Sequence, residues 1–182
     1  KGLVMNSKKS AIEVSDGGSL ISQGKISAYS LTMSGEESLL DVTNQKPVSV
    51  SFKGDVSFTD AHKVKVYGAF SANQLTAVDS ILTFAPDRSA IKPKAQSVSL
   101  KGKGVLNTIS GSEVDISGKM SVTADLQLTD SDVALHDVAD ATKPKAQGMT
   151  VKGELSLEDN SALAMTGTLS AGALSATDSV IS

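Results

Sequence analysis

A period of about 48 residues runs through this chain, and no other feature restricts its fold as strongly. Three Lys-Gly pairs mark it, Lys53-Gly54, Lys101-Gly102 and Lys152-Gly153, at spacings of 48 and 51. A second marker runs in phase: GKISA at Gly24, GAFSA at Gly68, GKMSV at Gly118 and GTLSA at Gly167, spaced by 44, 50 and 49. A leucine stands seven or eight residues after each of these glycines (Leu31, Leu75, Leu126, Leu174), and an acidic-Ser-apolar step closes each unit as ESLL, DSIL, DSDV and DSVI. The pentapeptide KPKAQ occurs at Lys92 and again at Lys143, with a shorter NQKPVSV around Lys46; these segments fall at the junctions and read as linkers. The chain divides into four modules, 1–47, 48–96, 97–147 and a truncated 148–182, within a single domain.

Inside a module apolar and polar residues alternate. VSVSF (48 to 52), DVSF (55 to 58), KVKVY (63 to 67), ELSL (154 to 157) and ALAM (162 to 165) place every second side chain on one face, which is the period of a strand. The pattern predicts Phe52, Phe58, Val64, Val66, Leu100, Val105, Val151, Leu155, Leu157, Leu163 and Met165 inside, with Ser51, Ser57, Lys65 and Ser156 outside. Between the strands, KGD, TDAH, GSE and EDNS supply turn residues. One stretch, SDVALHDVADAT from 131 to 142, is compatible with a helical turn capped by Ser131.

A module of this size buries too little apolar surface to fold alone, so the modules must stack around a shared core. Composition decides how wide that core is. Only six aromatic residues are present, none of them Trp, and there is no Cys. The interior is then narrow and filled by Val, Leu, Ile and Ala, and no disulfide holds it. A parallel β-helix with two coils per module, about eight coils in all, satisfies these conditions. At ~4.8 Å per coil it forms a rod on the order of 35 to 40 Å long, with Gly24, Gly68, Gly118 and Gly167 at equivalent corners. An antiparallel sandwich with turns every 8 to 12 residues shares the alternation, but its strands rarely repeat in phase along the chain.

The recurring order of alternating strand, Asp/Asn-rich turn, alternating strand, G-x-[IFL]-S-A and L-[TS]-x-x-D-S-x-[IL] resembles the passenger domains of Gram-negative autotransporters. The likeness is closest in LSLEDNSALAMTGTLSAGALSATDSVIS and extends over nearly the whole chain. It implies a right-handed parallel β-helix, display at the cell surface or secretion, no cofactor, and a non-enzymatic role as a stalk or adhesin. Host surface glycans or proteins, or copies of itself, are the partners it implies. The membrane-anchoring barrel and the serine protease domain of that family are not in this sequence, and a barrel would require many more aromatic girdle residues. The opening KGLVMNSKKS and the ending DSVIS inside a repeat read as a piece of a longer protein.

Chemistry-bearing residues are few. His62 and His136 are the two candidates for a general base; His62 falls in TDAHK, whose counterpart in the fourth module is EDNSA, so the position varies freely between repeats. Carboxylates cluster at Asp130 and Asp132 and at Glu158 and Asp159, but without the G-G-x-G-x-D calcium repeat they read as turn residues. A carbohydrate-active β-helix enzyme, the first alternative, needs convergent acids with basic and aromatic partners, whereas Arg88 is the single Arg. An intracellular polymerising β-solenoid is the second alternative, and bare apolar ends would support it. Lysine is the informative residue, forming 16 of the 17 basic positions. Lys46, Lys53, Lys92, Lys94, Lys101, Lys103, Lys143, Lys145 and Lys152 recur with the modules, and the period places them on one side of the solenoid as a polyanion-binding stripe. Solubility is the competing explanation, since such lysines also keep loops hydrated and strand edges from pairing. Nucleic acid is not an expected partner, because Arg and stacking aromatics are both scarce.

Overall fold

The computed structural model describes residues 3–5, 10–44, 46–86, 93–138 and 147–182. Among these every regular element is a strand, and the strands follow a three-beat order. The first face stacks Leu3–Val4, Ile26–Ala28, Val48–Phe52, Gly68–Ala72, Gln96–Leu100 and Gly118–Val122. The second stacks Ala11–Val14, Ser30–Ser34, Val56–Thr59, Leu75–Val78, Leu106–Ser110 and Asp125–Thr129. Gly148–Glu158 and Thr168–Ala176 then run through both faces as single bent strands, the former with a register shift between Val151 and Glu154. The third face is an 8-stranded sheet from Ser19–Ile21 to Val180–Ile181. All pairings are parallel, and the fold is a right-handed parallel β-helix. Its eight rungs are joined by seven steps, so the chain makes about seven turns where eight coils are expected: the outermost rungs each have a neighbour on one side only.

The core is a set of columns, because parallel in-register pairing places like positions of successive rungs directly above one another. The leucines that follow each marker glycine stack as Leu31, Val56, Leu75, Asn107, Leu126, Leu155 and Leu174. Side-chain volume is balanced within a column: Phe52 lies between Ala28 and Ala72, and its ring meets that of Phe70 at 6.1 Å, which in turn meets Phe84 edge-on at 5.2 Å. The inward residues predicted above are buried except Met165, which packs partly buried against the core, and Val105, which is half-buried and outside it. Asn107 takes the inward position instead, and Leu106 beside it is exposed. A buried amide in a leucine column is tolerable only when its polar atoms are satisfied. Here the Leu75 N–H donates to Asn107 Oδ1 at 3.0 Å, and Asn107 Nδ2 donates to the Asp125 carbonyl at 2.9 Å, so one side chain ties the rungs on both sides of it.

Corner chemistry explains the sequence markers. Between the third and first faces the strands are separated by four residues (22–25) and five (43–47) in the first module, and from there on by short and long intervals in turn: Tyr67 alone, residues 85–95, Ser117 alone, residues 136–147 and Thr166-Gly167. From Lys63 onward that alternation gives the repeat its two rungs. Gly68, Gln96, Gly118, Gln147 and Gly167 occupy one stacked position, and the same register continues down to Val48 and Gly24. KPKAQ is therefore more than a linker, because its glutamine belongs to the stack. Gln96 accepts from the Gly68 N–H and donates to the Lys94 carbonyl, while Gln147 donates to Asp137 Oδ1 at 2.8 Å. The glycines are demanded by contact: a Cβ on Gly118 would lie 2.2 Å from the Gln96 carbonyl oxygen, and one on Gly167 2.0 Å from that of Gln147.

At the corner between the second and third faces, the residue before four of the buried serines has positive φ. Asp79 (47°), Gly111 (57°), Asp130 (47°) and Asn160 (61°) fill this place before Ser80, Ser112, Ser131 and Ser161, types that tolerate the left-handed region. The serine that follows turns inward and builds a ladder. Ser80 N–H donates to Ser112 Oγ at 3.0 Å, Ser112 N–H to Ser131 Oγ at 3.3 Å, and Ser131 N–H to Ser161 Oγ at 3.3 Å. Each Oγ donates to a carbonyl of its own turn, such as Ser112 to Ser110 at 2.8 Å and Ser131 to Thr129 at 2.8 Å. This overturns the helical reading of residues 131 to 142. Ser131 is a ladder residue, Asp132–Leu135 is a strand, and residues 139–146 lie outside the described residues. The acidic-Ser-apolar step is thus a turn with a fixed task for each residue.

Candidate binding face

The outer surface of the first face is built almost wholly from small hydroxyl residues. Alternation points Phe52, Val50, Phe70 and Val98 inward, so their neighbours point out, and register aligns Ser27, Ser51, Ser71, Ser99, Ser121, Thr150 and Ser170 in one column. Ser71 Oγ donates to Ser51 Oγ at 3.1 Å within it. Beside this column, where the first face turns into the second, Lys53, Lys101 and Lys152 follow the strand residues Phe52, Leu100 and Val151. They stand on alternate rungs, which sets them ~9 to 10 Å apart along the axis. The glycine after each lysine lets the corner close: Gly54, Gly102 and Gly153 donate their N–H groups to the carbonyls of Tyr29, Asn73 and Ala124 one rung away.

The expected stripe of nine lysines is not a single stripe. Lys53, Lys101, Lys103 and Lys152 lie at the corner between the first and second faces, whereas Lys46 and Lys94 lie at the opposite border of the first face, before its strands begin. All six are exposed. Lys92, Lys143 and Lys145 lie outside the described residues. The two groups separate because the Lys-Gly pair and the Pro-Lys segment serve different corners, a distinction invisible until the strand ends are located. Lys119, which the sequence reading passed over, points outward from the first face between the two borders.

Charge is divided between the faces by turn chemistry. No described residue of the first-face strands is Asp or Glu, with Gly148–Glu158 counted only from 148 to 151, where it forms part of this face. Asp recurs at the corner between the second and third faces because it suits the left-handed turn position, as at Asp60, Asp79, Asp130 and Asp159, while Asp55, Asp125 and Glu154 stand at the lysine corner itself. The acids closest in sequence to the lysine column have other partners: Asn73 donates to Asp55, the Glu154 N–H donates to Asp125 at 2.9 Å, and Ser175 donates to Glu154 at 3.1 Å. Among the described residues the ion pairs are Lys63–Glu37 and His136–Asp115, and neither involves a first-face lysine. Lys63 holds the Glu37 carboxyl below its ordinary value by hydrogen bond and charge.

The two histidines occupy separate places, each with its own partner. His62 is exposed, with Nε2 3.1 Å from the Asp79 carbonyl, at the edge of an open cleft of about 320 Å³ lined also by Glu113, Asp130 and Asp132. No three His, Cys, Asp or Glu groups among the described residues converge as a metal site. His136 follows the third-face strand Asp132–Leu135 and pairs with Asp115 one rung below. Burial opposes its charge, but the Asp137 carbonyl and the Asp115 carboxylate outweigh this and raise its pKa above 6.5. A raised folded-state pKa stabilises the protein at pH values below the unfolded one and loses that contribution as pH rises through the folded value. The denaturation midpoint of the native chain should therefore fall as pH rises from below 6.5 to above the folded value, and the His136→Gln variant should show a flatter profile; parallel profiles would contradict the pairing.

Three parallel faces, inward columns and ladders of buried Ser and Gln at the corners make this molecule a right-handed parallel β-helix, with one hydroxyl-lined face on which no described residue is an outward carboxylate. Comparison of the chain with protein-family models, with curated proteins and with solved structures finds no match.

Proposed function

We propose that this chain is a β-helical stalk segment of a Gram-negative autotransporter passenger, displayed at the cell surface or secreted, and that it acts by adhesion or self-association without covalent chemistry. The supporting observation is the division of the solenoid surface: among the described residues the first face carries in-register Ser and Thr and no outward carboxylate, with lysines outside any ion pair along its borders, and the acids nearest those lysines, Asp55, Asp125 and Glu154, stand at the corner and are engaged by other partners. Such a surface is extended and repetitive, as multivalent contact requires, and the continuous core gives it a rigid backing. Fusing the chain ahead of an outer-membrane barrel in a Gram-negative host tests this reading. Surface labelling together with new adhesion or autoaggregation of the cells is the expected result. Efficient display with neither property would reduce the segment to a spacer.

A second reading, assembly of an intracellular filament from isolated chains, has its own observation. Both terminal rungs expose apolar side chains, Val4 and Ile21 at one end and Leu174 and Val180 at the other. Concentration-dependent filaments of the purified chain would favour it over the surface role.

A further inference from the structure

We propose that the first face binds a linear polyanionic polysaccharide, sulfated or rich in uronic acid, laid along the solenoid axis. This names a ligand for the adhesive reading and rests on it, but its chemistry belongs to the isolated chain. Lys53, Lys101 and Lys152 recur on alternate rungs at one border of a face on which no described residue, Gly148–Glu158 being counted from 148 to 151, is Asp or Glu. Their spacing of ~9 to 10 Å is longer than the ~8 Å screening length at physiological salt, so each ammonium acts on what touches it rather than as part of a broad field. A ligand that profits must then bring anionic groups at a similar pitch along a straight line. A polysaccharide with one anionic group or more per disaccharide does so.

The adjoining column supplies the second half of the match. Ser51, Ser71, Ser99 and Ser121 offer hydroxyls that donate and accept, at one per rung, next to the lysines. Sugar hydroxyls are the complementary groups, and the absence of bulky outward side chains in this column lets a chain lie against it. Lysine favours this class of ligand also by its form, since a compact ammonium makes point contacts with sulfate or carboxylate without the fixed fork that selects planar groups. A lipid surface needs no such pitch. Moreover, the carboxylates elsewhere give the molecule a formal net charge of −3, which opposes its non-specific accumulation on any anionic surface.

Heparin is the probe, with polygalacturonate as a second polysaccharide and phosphatidylglycerol vesicles as the lipid arm. The variant Lys53→Gln/Lys101→Gln/Lys152→Gln should retain the circular dichroism spectrum and melting temperature of the native chain, because all three side chains are exposed. Its affinity for heparin at ~0.15 M salt should fall about tenfold, the scale of three exposed charge contacts, and the difference should shrink as salt rises. The control Lys63→Gln/Lys65→Gln, on the third face, should bind heparin as the native chain does. Equal losses in both variants, no binding by the native chain, or vesicles bound in preference to both polysaccharides would each overturn the assignment. Because these measurements use purified protein, a negative result leaves cell adhesion to be judged separately. A positive one stands even where displayed cells fail to adhere.

Discussion

Replacing Gly68 by alanine is expected to destabilise the protein by several kcal/mol, an unusually large effect for one added methyl. The substituted Cβ would lie 1.7 Å from the Val48 carbonyl oxygen and 2.6 Å from its carbonyl carbon, all of them backbone atoms that cannot swing aside. Gly68 also has φ of 141°, a region that side-chain-bearing residues reach only at a cost of roughly 1 to 3 kcal/mol before any clash is counted. Relief would require lifting one rung off the next, which breaks the parallel ladder between Val48–Phe52 and Gly68–Ala72 and opens the core columns beneath it. Gly104→Ala separates strain from contact. That glycine has φ of 63° but no atom within 4 Å of the added Cβ, so its substitution should cost only about 1 to 2 kcal/mol. Urea unfolding of the two variants followed by circular dichroism measures both values, and equal losses would mean that the rungs do not stack in this register.

The second large effect is expected at Leu155. Its side chain is fully buried in the column between Leu126 and Leu174, and the chain on either side of it is bent but continuous strand. In Leu155→Asp a carboxylate would enter a column of aliphatic neighbours where no cation is placed to pair with it. Burying it unpaired, or protonating it to avoid that, should cost ~3 kcal/mol or more, with the lost packing of the leucine added. Thr150→Asp puts the same carboxylate on the exposed first face a few residues earlier, and its melting temperature should remain close to that of the native chain. A rod of stacked rungs is nearly one-dimensional, so disruption at this seventh rung should loosen the last rung before the first ones. Hydrogen exchange then shows protection lost in Thr168–Ala176 while Ile26–Ala28 keeps its own.

Much of this fold was legible because the sequence repeats its own geometry. The Lys-Gly pairs, the marker glycines and the acidic-Ser steps correspond to three corners, one for each change of face, and their common period counts two rungs. Period-two alternation assigned Phe52, Leu100, Val151 and Leu155 to the interior, since a strand with one buried face leaves no other choice of side. It failed at Val105, because the corner around Gly102 and Gly104 shifts the strand start to Leu106 and hands the inward place to Asn107. No pattern based on hydrophobicity selects an asparagine for a leucine column; its fitness comes from the Leu75 N–H and the Asp125 carbonyl on the neighbouring rungs.

The candidate face divides in the same way. That lysines recur with the modules, that turns are rich in Asp and Ser, and that the core is narrow could be read along the chain alone, because these are local or periodic properties. The folded rungs were needed to show that Lys53, Lys101 and Lys152 form one column while Lys46 and Lys94 border the other edge, that Ser131 continues a ladder instead of capping a helix, and that Gln96 belongs to the stack. Those outcomes depend on which residues of different rungs come to lie above one another, and that register is fixed by the length of each corner and by backbone contacts about 18 to 32 residues apart in the chain.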